Sequence, residues 1–123
     1  MQKSLILFVH GARDPDWAKP FHRLQTLTQA SLPDVVVELA FLELMTPNLP
    51  QLAARQVADG VRHITVVPVF LGQGGHVRHD LPVLVEQLRR THPQVTFQVA
   101  EAAGEDAAVL QALARYCITR VGP

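Results

Sequence analysis

The sequence predicts an α/β fold: an open parallel sheet of four strands in the order 2-1-3-4, with helices on both faces. Three observations predict it. Apolar runs alternate with stripes of helical spacing, giving the order βαβαβαβα. Leu5 to Val9 are continuously apolar, which suits a strand covered on both faces. The last run, Val95 to Ala100 (VTFQVA), alternates as a half-exposed edge strand would. Right-handed crossovers then place the first and last helices on one face and the middle two on the other.

The elements follow in order. After the first strand, His10 to Asp16 form a loop, and a helix starts between Asp16 and Lys19. Pro20 is tolerable only near such a start, where its missing N–H does least harm. Trp17, Phe21, Leu24 and either Leu27 or Thr28 make the stripe expected to be buried, and Pro33 closes the segment. Val35 to Leu42 form the second strand, with Glu43 to Pro47 as its exit loop. Leu49, Leu52, Ala53, Gln56 and Val57 have helical spacing, and Gly60 stands just past that helix's end. Ile64 to Val67, extending at most to Phe70, form the third strand; Pro68 has no N–H for a sheet and should end or bulge it. Asp80 is the expected N-cap of the third helix, with Pro82 in its first turn and Leu81, Leu84, Val85 and Leu88 as its apolar face. His92-Pro93 stop it. Glu105 and Asp106 suit the positive end of a last helix whose stripe is Leu110, Leu113, Ala114, Cys117, Ile118 and Val121.

At 123 residues the chain suits a single domain spanning residues 1–123, long enough to bury a core without staples. Its formal net charge is zero, so no basic footprint for nucleic acid or an anionic membrane stands out. No apolar run approaches the ~20 residues of a membrane span. The N-terminal run ends in His10-Gly11 without a small-residue cleavage site, so a strand is expected there and not a leader. The one cysteine, Cys117, excludes an internal disulfide, fits a reducing cytoplasm, and is expected to be buried as a small hydrophobe.

The functional signal lies in Ile64 to Asp80, ITVVPVFLGQGGHVRHD, where an apolar run breaks into a glycine-rich loop that delivers His76. A shorter copy of the plan stands at the N-terminus, where LILFV meets His10-Gly11. In open parallel sheets ligands sit beyond the carboxyl ends of the strands, where the strand order reverses. Here that is between the first and third strands, so His10 and His76 should converge on one crevice. Glu43, Met45 and Thr46 leave the second strand on the same edge, and Glu101 leaves the fourth farther out. The glycines of Leu71-Gly72-Gln73-Gly74-Gly75 fit a tight turn equally with a close approach of backbone to a large flat ligand. Arg13 and Arg78 fit either receivers of ligand carboxylates or solvated loop charges. His22, His63, His79 and His92 lie on helices or loops without a shared focus, although His79 neighbours the crevice. Two imidazoles with an open face suit a borderline divalent metal such as Co²⁺, Ni²⁺, Fe²⁺ or Zn²⁺. A closed structural zinc site would need four ligands, often cysteine pairs, and the sequence has none.

VHGARDP, AFLELMTPNLP and VVPVFLGQGGHVRHDLP, in this order, resemble the CbiX family of sirohydrochlorin chelatases over nearly the whole chain. The third motif is the most specific. In the first, the family usually has glycine before the histidine and serine after the His-Gly pair, where this chain has Val9 and Ala12. That keeps His10 but removes a hydroxyl beside it. The resemblance implies one class II chelatase-like half, which works as a homodimer in the short form of the family. It implies insertion of Co²⁺, Ni²⁺ or Fe²⁺ into sirohydrochlorin, a tetrapyrrole with eight carboxylates, cobalt being the first choice. Carried over by position, it makes His10 and His76 the metal-binding and catalytic pair. Leu71 to Gly75 become the tetrapyrrole-contacting loop, with Glu43, Met45 and Thr46 on the rim. Insertion removes two pyrrole protons while a metal is handed over, and free neutral imidazole, with a pKa of ~6.5, can do either. No organic cofactor is required; the divalent metal is a substrate.

Two rivals remain from the sequence. Val9-His10-Gly11 is similar to the His-Gly segment of a hydrolase oxyanion hole and to the Arg-His-Gly of histidine phosphatases, but the arginine is missing and no G-x-S-x-G elbow occurs. A non-catalytic metal or tetrapyrrole binding module would use the same residues as a chelatase.

Overall fold

The computed structural model of the chain describes residues 2–122 apart from Gln73, and describes His76 by its backbone alone. Its four-stranded sheet has the order expected, 2-1-3-4, formed by β1 (Lys3–Val9), β2 (Val35–Phe41), β3 (His63–Pro68) and β4 (Thr96–Val99). All pairings are parallel, with Leu7 opposite Leu39 on one side and Val67 on the other. The helices are α1 (Lys19–Ser31), α2 (Leu49–Ala58), α3 (Gly75–Thr91) and α4 (Ala107–Val121).

The period-two geometry of strands divides the core. Ile6 and Phe8 of β1 face α2 and α3 in the larger cluster, with Leu49, Leu52, Val85 and Leu88. Leu7 and Val9 face the other way, with Val37, Leu39 and Phe41, under Trp17, Phe21 and Leu24. Gln56, part of the expected apolar stripe of α2, is buried and accepts a 2.6 Å hydrogen bond from the Ser4 hydroxyl, so its amide is satisfied inside the core. Asn48 and Gln51 close a reciprocal capping box at the start of α2, which fixes where the loop before it must end. Gly60 follows that helix with φ +99°, the conformation expected of it.

Of the two alternatives for the α1 stripe, half-buried Thr28 continues it and Leu27 is 60% exposed. Three expectations are corrected. The N-cap of helix α3 is Gly74, six residues before Asp80, and Pro82 lies inside the helix. Proline in a helix interior costs ~3 kcal/mol. The early start buries Val77 one turn before Leu81, and full burial of such side chains contributes ~1.5–3 kcal/mol each. The stripe Val77, Leu81, Val85, Leu88 therefore offsets the proline, and His76 belongs to the first helical turn instead of the loop. Helix α4 joins neither core cluster, so only α1 covers the face assigned to both. None of its residues is buried, and Cys117 is exposed. Its stripe is amphipathic as read, but no part of the described chain covers it.

Pro68 ends β3 as expected. It pairs with Phe8 of β1, whereas pairing with β4 stops at Val66 and Val99. Among the described residues no helix is long and apolar enough to cross a membrane.

Candidate functional site

The exit of β1 is built on contacts with its neighbours. Leu42 donates its N–H to the Val9 carbonyl at 2.8 Å, and Glu43 donates to the His10 carbonyl at 3.0 Å. The exit loop of β2 is thereby stitched alongside His10. Gly11 makes this approach possible: its φ is +91°, and a Cβ there would sit 1.9 Å from the Glu43 carbonyl oxygen. That oxygen also accepts from Met45 N–H at 2.8 Å, turning the chain sharply through Leu44, whose φ is +65°. A non-glycine residue in the left-handed region costs ~1–3 kcal/mol. Here it is held by the Phe41 N–H bond to the Pro47 carbonyl and by the capping box beyond.

The His10 ring is fixed from below. It stacks on Phe70, with centroids 4.1 Å apart and planes at 27°. Phe70 is buried and tilted against Phe8 at 5.8 Å. Phe70 follows β3, so this stack ties the ends of the two central strands at the point where the strand order reverses. Half-buried His10 keeps one face on hydrocarbon, which limits how its nitrogens can turn.

The exit of β3 is open by contrast. Leu71 is exposed, and a Cβ on Gly72, Gly74 or Gly75 would meet nothing within 4 Å. None of the three has a positive φ. No turn or crowding inside the described chain therefore demands glycine at these positions. What braces the loop is Gly104, whose N–H donates to the Phe70 carbonyl at 2.8 Å; a Cβ on it would lie 1.8 Å from the Leu71 carbonyl oxygen. Gly74 caps α3 without a side chain, leaving the first N–H groups of that helix at the loop.

The remaining candidates fall on either side. Arg13, Met45, Thr46 and Leu44 line a shallow concavity of about 420 Å³ beside the β1 exit. His22 also lines it, although the sequence placed that histidine without a shared focus. Arg78 lies across the site in a groove of about 340 Å³ shared with Glu101 and Glu105, and its guanidinium is 3.8 Å from the Glu105 carboxylate. Glu43 is exposed on the rim. His63 opens β3 at the opposite end of the sheet, and His92 caps the far end of α3 near Phe97. Gln73 and the His76 side chain lie outside the described residues. Among the described residues no three His, Cys, Asp or Glu side chains converge as a metal cage.

Sequence reading missed Phe70, Gly11 and Gly104. Phe70 looked only like the tail of an apolar run. The His-Gly dipeptide was the available signal for Gly11, because a glycine directly after a strand-end histidine fits a positive φ. Nothing local marked Gly104, whose partner is a loop far away in sequence.

Fold and site together define an open parallel α/β unit with an aromatic-braced imidazole at its switch point and an uncrowded glycine loop beside it. The family model for CbiX matches residues 4–118, and the chain belongs to the CbiX family. The sirohydrochlorin cobaltochelatase of Priestia megaterium is 28% identical over 111 residues, which are 90% of this chain and 36% of that protein. The sirohydrochlorin ferrochelatase of Bacillus subtilis strain 168 is 30% identical over 112 residues, 90% of this chain and 43% of that protein. The chain thus spans less than half the length of these two relatives. A putative cobalamin (vitamin B12) biosynthesis CbiX protein from Marinobacter aquaeolei VT8 has the same fold, with a TM-score of 0.85, 32% identity and 97% of each chain covered.

Proposed function

We propose that this chain is a sirohydrochlorin chelatase, a lyase-class enzyme that inserts a divalent metal into sirohydrochlorin in tetrapyrrole biosynthesis of the cobalamin or siroheme type. Metal and macrocycle are both substrates. The carrying observation is the pairing at the switch point of a ring-braced His10 with a loop whose glycines answer no demand among the described residues. Family membership gives the pairing its chemistry.

Insertion of M²⁺ into the free macrocycle releases two pyrrole protons, so the site needs a metal donor and a proton acceptor close together. His10 and His76 take these roles. His10 is the better suited to hold a fixed direction, because its ring lies against Phe70. Leu71, Gly72, Gln73, Gly74 and Gly75 lie against the tetrapyrrole, where absent side chains let backbone reach its plane. The α3 N-terminus favours the anionic substrate. Glu43, Met45 and Thr46 form the opposite rim. Arg13 and Arg78 receive substrate carboxylates; Arg78 divides its charge with Glu105.

Cobalt is our first choice of metal, with Ni²⁺ and Fe²⁺ next. Imidazole ligands do not discriminate sharply among them, and both cobalt and iron enzymes occur among the relatives. A homodimer in the cytoplasm completes the proposal, since one such half leaves the crevice open on one side and a C₂ pair supplies two walls. The test is absorption-monitored turnover with sirohydrochlorin and limiting Co²⁺, Ni²⁺ and Fe²⁺ in competition. Many turnovers per chain are expected, with cobalt fastest. Spectral change that stops at one equivalent of protein would instead mark a binding module.

A further inference from the structure

We infer that Gly104 is a positioning residue for the site: the turn after β4 sets where the glycine loop stands and, through Phe70, which way His10 points. The inference deepens the function proposed above, and its kinetic test rests on that reading.

A backbone contact that only glycine permits is the first observation. Gly104 has no positive φ, so turn geometry does not require glycine there. Crowding does. A Cβ on Gly104 would lie 1.8 Å from the Leu71 carbonyl oxygen, 2.4 Å from its carbon and 2.5 Å from the Leu71 Cα. All three are backbone atoms, so no side-chain rotation relieves the overlap, and one of the two segments must move.

What the contact holds is the second. Pairing of β3 with β4 stops at Val66 and Val99, followed by one bond from the Ala100 N–H to the Val66 carbonyl at 2.9 Å. Pro68 has no N–H to continue it. The cross-link resumes at Gly104, whose N–H donates to the Phe70 carbonyl at 2.8 Å. From the other side the Val69 N–H donates to the Phe8 carbonyl at 2.8 Å. The backbone at Phe70 is thus gripped between β1 and the turn, while the Phe70 ring carries His10 at 4.1 Å. Leu71, the next residue, opens the glycine loop. Phe70 therefore transmits the position of the turn to both parts of the site.

The turn itself is anchored. Ala102 is buried in the larger core cluster. Glu105 N–H donates to the Ala102 carbonyl at 2.9 Å, and Asp106 N–H to the Ala103 carbonyl at 3.1 Å. The Asp106 carboxylate accepts from Val109 N–H at 3.2 Å and caps α4. Leu71, by contrast, is exposed. When turn and loop collide, the loop is the side that gives. The same turn also meets the far end of the loop, where the Glu105 carboxylate lies 3.8 Å from Arg78 of α3. Exposed ion pairs of this kind contribute little, so Gly104 is the firmer tie.

The test is Gly104→Ala, compared with Val95→Ala, which truncates a core residue just before β4 at the opposite end of the sheet from the site. Both should lower the melting temperature. In Gly104→Ala the His10 ring protons, read by NMR without substrate, should move toward the positions of an unstacked histidine. With sirohydrochlorin and Co²⁺, its kcat should fall roughly tenfold and its KM rise several-fold, since a misplacement of ~1 Å is enough for losses of this order. Val95→Ala should keep kcat, KM and the His10 resonances near wild type. Unchanged His10 resonances in Gly104→Ala overturn the inference, as do equal kinetic losses in both variants at equal loss of melting temperature. A wild type without turnover sinks the chelatase reading instead, and the His10 spectrum then decides the positioning by itself. Amide exchange in the wild type needs no variant to fold: the Gly104 N–H should exchange roughly a hundredfold or more slower than a free amide, as the Ala100 N–H should. Free exchange at Gly104 also overturns the inference.

Discussion

The two strand ends proposed to supply the reacting histidines are built in opposite ways. At the exit of β1, Gly11 lies against the Glu43 backbone and the His10 ring against Phe70. At the exit of β3, a Cβ on Gly72, Gly74 or Gly75 would meet no described atom within 4 Å, and the loop's root is braced by Gly104. Glycine thus serves two purposes in one site. Gly11 is required by the inside of the protein, whereas no contact among the described residues requires the loop glycines. On the proposed function, the pinned end directs an imidazole and the open end accommodates a large flat substrate.

The largest effect should come from the histidines. His10→Ala and His76→Ala are each expected to lower turnover with sirohydrochlorin and Co²⁺ by ~10²-fold or more, the range for a positioned acid–base group, with ligand loss adding to it. Thermal unfolding should change little, since both histidines stand outside the apolar runs of the sequence that build the core. His92→Ala, at the far end of α3, is the matched control and should stay within about twofold of wild type. Near-normal turnover for either active-site variant would remove that strand end from the chemistry.

Gly11→Ala tests the pinned end. The positive φ alone costs ~1–3 kcal/mol, and the overlap with the Glu43 carbonyl forces the two loops apart as well. Calorimetry should show the melting temperature falling by several degrees, at roughly 2–8 °C per kcal/mol for domains of this size. Activity should fall with it, because Glu43 and His10 move together. A stable, fully active variant would mean the close approach is dispensable.

Phe70→Leu should act more gently. It keeps hydrocarbon beneath His10 but removes ring stacking with both His10 and Phe8, where aromatic pairs contribute ~0.5–1.5 kcal/mol each. We expect a several-fold drop in kcat with a small loss of stability. Unchanged kcat with lower stability would leave Phe70 a core residue only.

How far these features were legible follows from their range along the chain. Strand ends and order come from local apolar periodicity and the handedness of crossovers, so His10 and the β3 exit could be placed at one edge. The start of α3 was misread because Asp80 and Pro82 imitate a local cap signal, while the decisive fact was tertiary burial of Val77. Val77 does stand four residues before Leu81, and that spacing was the overlooked sign. The His10–Phe70 stack joins residues on different strands, and no local pattern encodes which ring lies under which. For α4, periodicity shows that a face is apolar but not what covers it, so Cys117 was assigned to an interior that the single chain does not provide.

The smallest effect sharpens the comparison most, because it repeats the Gly11 substitution at the open end. Gly75 is the first residue of α3, and a Cβ on it would meet no atom within 4 Å. Its φ is not positive, so alanine fits the existing backbone. Replacing glycine by alanine at a compatible position stabilises a protein by ~0.4–1 kcal/mol, chiefly by narrowing the unfolded ensemble. Gly75→Ala should therefore raise the melting temperature by a few degrees at most, the opposite sign to Gly11→Ala. If the loop exists to let backbone meet the tetrapyrrole, the added methyl group should raise KM for sirohydrochlorin several-fold while kcat, set at the histidines, changes less. Equal KM in the variant and wild type would show that the glycine is not there for the substrate, and a falling melting temperature would show that the open end is less open than its geometry.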